Sequence, residues 1–109
     1  MYTVLQPDIC VICDQSKLDD RGCIGAPDLV IEILSPGSTK KELLHKYRVY
    51  EEFEVKEYWV VSCSKHTVLK YTLDEAGKFN PSHVYTKHEE MPSSVLPGFV
   101  LNLKAIFEY

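Results

Sequence analysis

The sequence predicts an α/β (α+β) domain in which a helix packs on a mixed β-sheet. Three observations carry this. Residues 27–33, Pro-Asp-Leu-Val-Ile-Glu-Ile, continue as Leu34-Ser35-Pro36 and read as a buried strand, apolar on both faces and punctuated by Gly25, Pro27 and Pro36. Leu43, Tyr47, Tyr50 and Phe53 recur at helical spacing behind a capping box formed by Thr39 and Glu42. Residues 56–62 and 67–73 are two strand-like runs, rich in aromatic and β-branched side chains, joined by the short link Cys63-Ser64-Lys65-His66.

In order along the chain, residues 8–14 (Asp-Ile-Cys-Val-Ile-Cys-Asp) form a first strand, and residues 15–26 are a polar, glycine-bearing connection. That connection is short for a crossover helix, so the first strand and the strand over 28–34 are expected to pair antiparallel. Pro36-Gly37-Ser38 is the turn before the helix, which is expected to end near Glu54 with its apolar stripe on the sheet. Leu69, Tyr71 and Leu73 alternate with Lys70 and Thr72 in the second arm of the hairpin. Residues 74–78 are a turn, 79–87 a weaker strand, 88–98 a loop, and 104–109 a short terminal helix. The sequence holds no internal repeat and no low-complexity segment.

Composition narrows the functional classes. With 109 residues and 45% hydrophobic content, residues 1–109 suit a single domain with one modest core. The formal net charge of -4 gives no general attraction to nucleic acid, so such a partner needs a local basic surface. No apolar run approaches the ~18 residues of a membrane span, and the first residues lack a signal peptide's charged and apolar regions. A cytoplasmic protein with no membrane partner is the expectation. Cys10 and Cys13 form a C-x-x-C, but on a strand positions three apart face opposite ways and do not converge on one metal. The cysteines are expected to be reduced, buried thiols acting as small hydrophobes.

One residue breaks the pattern of the central strand. Glu32 is a carboxylate inside a hydrophobic run, where an ionised group is costly unless it is paired or holds a cation. If the 15–26 connection folds near Arg21, Asp8 lies opposite the region of Glu32 to Leu34, and two carboxylates stand within reach of one cation. Taken alone, Asp8 reads equally as a turn residue at a strand start. Asp28 shares a face with Glu32, but four residues along a strand is about 13 Å, too far to ligate the same ion; it reads as a turn residue. Lys46 borders the buried helical stripe and stands four residues after Glu42, the favourable order for an exposed ion pair. Tyr50 reads as a core residue or a hydrogen bonder behind the site, and Tyr58 and Trp59 as sheet packing.

Several motifs together resemble a known family. These are Gln6-Pro7-Asp8-Ile9, the run from Gly25 to Pro36, Lys46 with Tyr50, Val55-Lys-Glu-Tyr-Trp-Val-Val61, and Leu96-Pro-Gly-Phe99. The combination is similar to the Uma-two family of restriction-endonuclease-like proteins, within the PD-(D/E)XK nuclease superfamily. The resemblance implies a restriction-endonuclease-like fold and a metal-dependent endonuclease hydrolysing phosphodiester bonds of DNA. It further implies Mg2+ (or Mn2+) held by Asp8 and Glu32, Lys46 as the catalytic lysine, and Gln6 and Tyr50 in support. The superfamily's usual lysine would stand two places after Glu32, where this chain has Leu34; Lys46 occupies the alternative place on the following helix.

The chain departs from the family in three ways. Glu54 precedes Val55 where the family usually has a glycine, so the helix must end differently. Ser62 follows Val61 where an Asp is usual. Only five residues precede the Gln-Pro-Asp motif, where relatives carry a helix, a strand and often another acid. The domain is therefore expected to be incomplete at its N-terminus, with an open strand edge that favours a homo-oligomer. An alternative function is a catalytically inactive remnant of the fold serving as a binding or assembly domain.

Overall fold

The computed structural model describes residues 7–13, 16, 18–19, 22–23 and 25–107. Its strands are β1 (Ile9–Val11), β2 (Leu18–Asp19), β3 (Gly22–Cys23), β4 (Leu29–Leu34), β5 (Glu57–Ser62), β6 (Thr67–Thr72), β7 (Val84–Thr86), β8 (Glu90–Pro92) and β9 (Val100–Asn102). The helices are α1 (Lys40–Glu52), between β4 and β5, and α2 (Leu103–Ile106), which follows β9.

A five-stranded sheet in the order β1-β4-β5-β6-β7 forms the frame. Among the described strands only β4 and β5 run parallel, because α1 carries the chain from the end of one back to the start of the other. The other neighbouring pairs are antiparallel, including β1 with β4 and the β5–β6 hairpin, both as the sequence predicts. Here lies the reason β4 is apolar apart from Glu32: each of its faces carries part of the core, although Ile33 near its end is exposed. Val30 packs with Tyr50, Val55, Tyr58 and Phe79 beneath α1. Leu29 packs with Trp59, Val68, Met91, Leu103 and Phe107 on the opposite face, under the C-terminal β8–β9 hairpin and α2.

Helix α1 begins as predicted. The Thr39 hydroxyl accepts a hydrogen bond from the Glu42 amide at 3.1 Å, satisfying one of the first-turn donors. Its end explains the missing glycine. Glu54 adopts φ 60°, the left-handed conformation, while the Val55 amide donates to the Tyr50 carbonyl at 3.0 Å and the Glu54 amide to that of Glu51 at 3.1 Å. This is a Schellman closure with a glutamate in the glycine position, and Val55 and Tyr50 supply the apolar contact that accompanies it.

The structure corrects several expectations. The first strand covers three residues rather than the whole of 8–14, because Asp28 intervenes: its amide donates to Val11 O, and its carboxylate accepts from the Cys13 amide. Asp14 lies outside the described residues. The 15–26 connection contains the β2–β3 pair. Helix α1 stops at Glu52, close to the expected Glu54, and Phe53, its C-cap, is exposed instead of lying on the sheet. Within 79–87 only residues 84–86 form a strand; Phe79 is buried beneath α1 and bridges to Leu73. The 88–98 segment, read as loop, contributes β8, and the terminal helix lies at Leu103–Ile106. Cys10, Cys13 and Cys63 are exposed rather than buried: Cys10 lies on the edge strand β1, Cys13 just beyond it, and Cys63 in the turn between β5 and β6. No helix among the described residues is long and apolar enough to cross a membrane.

The helix end provides a direct test. A non-glycine residue at φ 60° carries a steric penalty of about 1 kcal/mol. The Glu54→Gly variant should therefore raise unfolding free energy by roughly that amount in urea denaturation, offset in part by glycine's larger unfolded-state entropy. A clear loss of stability would show that the Glu54 side chain, not its backbone, governs this turn.

Candidate active site

Glu32 points from β4 toward α1 and is 2% exposed. Its neighbours on that face, Val30 and Leu34, are apolar, so the carboxylate must find partners within the protein. It finds three. Lys46 from α1 places its ammonium in a very short contact on Oε2. The Tyr50 hydroxyl, one helical turn further along, donates to Oε1 at 3.2 Å. The Asp8 backbone amide donates to the same Oε1 at 3.3 Å.

Asp8 returns the contact. Its Oδ2 accepts a hydrogen bond from the Ile33 amide at 2.7 Å, so each acid binds the backbone beside the other. The register accounts for this: Ile9 pairs with Ile31 across the β1–β4 ladder, which places Asp8 level with Glu32, as the sequence predicts. Asp8 is exposed, whereas Glu32 is enclosed. The site is thus one fixed carboxylate at depth and one at the surface, beside the Lys46 ammonium, whose side chain is 34% exposed.

The pairing of Lys46 differs from the expected contact with Glu42. On the surface that pair is worth little, because both groups stay hydrated. Glu32 is desolvated, and an uncompensated charge there costs several kcal/mol, so the buried acid takes the ammonium. The Tyr50 phenol is pushed well above its ordinary value, first by burial and then by the charge and hydrogen bond of Glu32. Because the unfolded chain ionises more readily, Tyr50's contribution to stability is whole below pH about 10 and declines above it. Gln6, expected in support, lies outside the described residues.

Two further carboxylates are more engaged than the sequence indicates. Asp28, expected as a turn residue, is buried; its Oδ1 pairs with Lys56 Nζ at 3.2 Å and its Oδ2 accepts from the Cys13 amide at 2.8 Å. It ties the ends of β1, β4 and β5 together. Glu57 is fully buried on the other face of the sheet, accepting from Trp59 Nε1 at 2.5 Å, from the Ser94 amide at 2.8 Å, and from the Ser94 hydroxyl. Glu57 opens the apolar run Tyr-Trp-Val-Val, whereas Glu32 interrupts one, and the donors to Glu57 are neutral and closed around it.

The chemistry of the pair suits a hard cation. Asp8 and Glu32 offer oxygen donors on adjacent strands, and no hydrogen bond from the described residues reaches Asp8 Oδ1. With Lys46 included, the cluster keeps one uncompensated negative charge. Among the described residues no group of three or more His, Cys, Asp or Glu side chains converges on a metal position. A two-carboxylate set matches an ion that keeps most of its waters, not a closed structural site.

The buried ion pair can be tested by stability. Removing the ammonium in Lys46→Met should cost about 2 kcal/mol, below the full buried-pair value because Lys46 is partly exposed. Adding Glu32→Gln to that variant should recover most of the loss. Losses that simply add, measured by urea denaturation, would show that the two side chains are not coupled.

Comparison with known proteins follows the same line. The Uma2 family model, described as "Putative restriction endonuclease", matches residues 2–104. The chain is also similar to the crystal structure of a "putative nuclease" from Anabaena variabilis ATCC 29413, at 23% identity and a TM-score of 0.73. The match covers 94% of this chain and 59% of that one, and at this identity it shows a shared fold. No curated protein matches the chain.

Proposed function

The chain belongs to the Uma2 family of restriction-endonuclease-like proteins, and on that premise we propose that it is a metal-dependent endonuclease hydrolysing phosphodiester bonds of DNA. The observation that supports this reading most is the reciprocal Asp8–Glu32 arrangement with Lys46 beside it. In this reading Asp8 and Glu32 hold Mg2+ or Mn2+. When bound, the ion would acidify a water and offset charge on the phosphoryl group.

The chain's own residues have separate tasks. Glu32 is the fixed anchor, held against rotation by Tyr50 and the Asp8 amide. Asp8, exposed and oriented by the Ile33 amide, has its other oxygen free of hydrogen bonds from the described residues. Lys46 supplies a compact positive charge beside the acids, suited to the charge that gathers on phosphoryl oxygens during displacement. Tyr50 stays protonated and donates to Glu32, which keeps that carboxylate an acceptor.

A second reading, a catalytically inactive remnant serving as a binding or assembly domain, is favoured by one feature: the Lys46–Glu32 ion pair already satisfies the buried acid. Cleavage separates the two. Wild-type protein with Mg2+ or Mn2+ should nick plasmid or single-stranded DNA. Asp8→Ala and Glu32→Ala should each reduce the rate by about 100-fold or more, as expected for loss of electrostatic stabilisation. Activity unchanged in both variants would remove these residues from the site. A folded wild type without activity under either metal would leave the binding-domain reading.

A further inference from the structure

We propose that the cleft at the carboxyl ends of β4 and β5 binds an unpaired nucleotide, so that DNA reaches Asp8 and Glu32 as a single strand or a locally opened duplex. The identity of the ligand rests on the nuclease reading; the existence of the cleft does not. Parallel strands leave a crevice beyond their carboxyl ends, and β4 and β5 are the parallel pair of the five-stranded sheet. The crevice here has a volume of 710 Å³ and lies between the turn leading into α1 and the turn joining β5 to β6.

Its lining has two kinds of surface. Leu34, Val60 and Leu69 give an aliphatic floor. Above it stand two hydroxyl pairs, Ser35 with Ser38 at 3.3 Å and Ser62 with Ser64 at 3.4 Å. Within each pair one hydroxyl donates to the other, so one O–H per pair remains for a ligand. Lys65 is exposed at the cleft and makes no ion pair among the described residues. Among the described residues the lining contains no Asp or Glu, although the chain as a whole carries a net charge of -4. An apolar floor, spare hydroxyl donors and one unpaired cation suit a base and sugar attached to a phosphate.

Position connects this cleft to the candidate centre. Leu34 lies two residues beyond Glu32 on the same face of β4, about 7 Å along the strand. A chain with its scissile phosphate at Glu32 can therefore place the adjoining nucleotide in the cleft. A paired, stacked base cannot enter between two turns without leaving its duplex.

The test is metal-free binding, which is independent of cleavage. Fluorescence anisotropy would compare a short oligothymidylate with the same strand annealed to oligoadenylate. The single strand should bind more tightly than the duplex. Lys65→Glu, and Thr67→Phe, which fills the rim with a bulkier side chain, should each weaken that binding by about tenfold. Lys104→Glu, a charge change outside the cleft lining, should leave it near the wild-type value. Equal binding of duplex and single strand would overturn the proposal, as would cleft variants that bind like wild type or a Lys104→Glu loss equal to that of Lys65→Glu. Cleavage without cleft dependence would retain the nuclease and discard the subsite; cleft-dependent binding without cleavage would do the reverse.

Discussion

A charged carboxylate enclosed between a sheet and a helix is the constraint on which the rest of this structure depends. Glu32 sits where burial would otherwise expel an ion, and the first strand's segment and α1 both contribute partners. Strand β1 supplies an amide, and α1 supplies an ammonium and a phenol one helical turn apart. These contacts set more than the charge balance. Lys46 and Tyr50 at a four-residue spacing fix how α1 is rotated and how far along β4 it lies. The exchange of hydrogen bonds between Asp8 and Glu32 fixes the register of β1, because a one-residue slip would turn Asp8 to the other face.

Comparison of Glu32 with Glu57 shows what distinguishes a candidate centre from a structural pin. Both are acids inside hydrophobic strands, and both are almost wholly enclosed. Glu57 is held by an indole and by the amide and hydroxyl of Ser94, neutral donors that join the sheet to the C-terminal segment. Glu32 is held in part by the ammonium of a partly exposed lysine, and its neighbour Asp8 opens to solvent. The first arrangement closes a layer of the fold. The second leaves a path for a cation and retains a negative charge to attract one.

Much of this was legible in the chain. The apolar run broken by Glu32, the Thr39–Glu42 cap and the β5–β6 hairpin follow from local pattern, and the Asp8–Glu32 neighbourhood follows from a short antiparallel connection. What was not legible depended on competition between distant groups. Helical spacing pairs Lys46 with Glu42, but a desolvated anion fourteen residues earlier attracts it more strongly. The β8–β9 hairpin is hidden in a stretch rich in Pro and Ser, and its pairing is driven by Met91 and Leu101 packing against the far face of the sheet. The exposure of Cys10 follows from the place of β1 at the sheet edge, which an apolar strand pattern does not reveal. The role of Glu57 is not written in its local sequence, because its donors at Ser94 lie 37 residues away.

The central claim is that Asp8 and Glu32 together form a cation site, and paramagnetic broadening by Mn2+ tests it most directly. In an amide NMR spectrum, substoichiometric Mn2+ should first erase the signals of Asp8 and Ile33, the two amides that bind the paired carboxylates. Glu32→Gln should abolish that selectivity while leaving the rest of the spectrum in place. Broadening centred elsewhere, or unchanged in Glu32→Gln, would contradict the account.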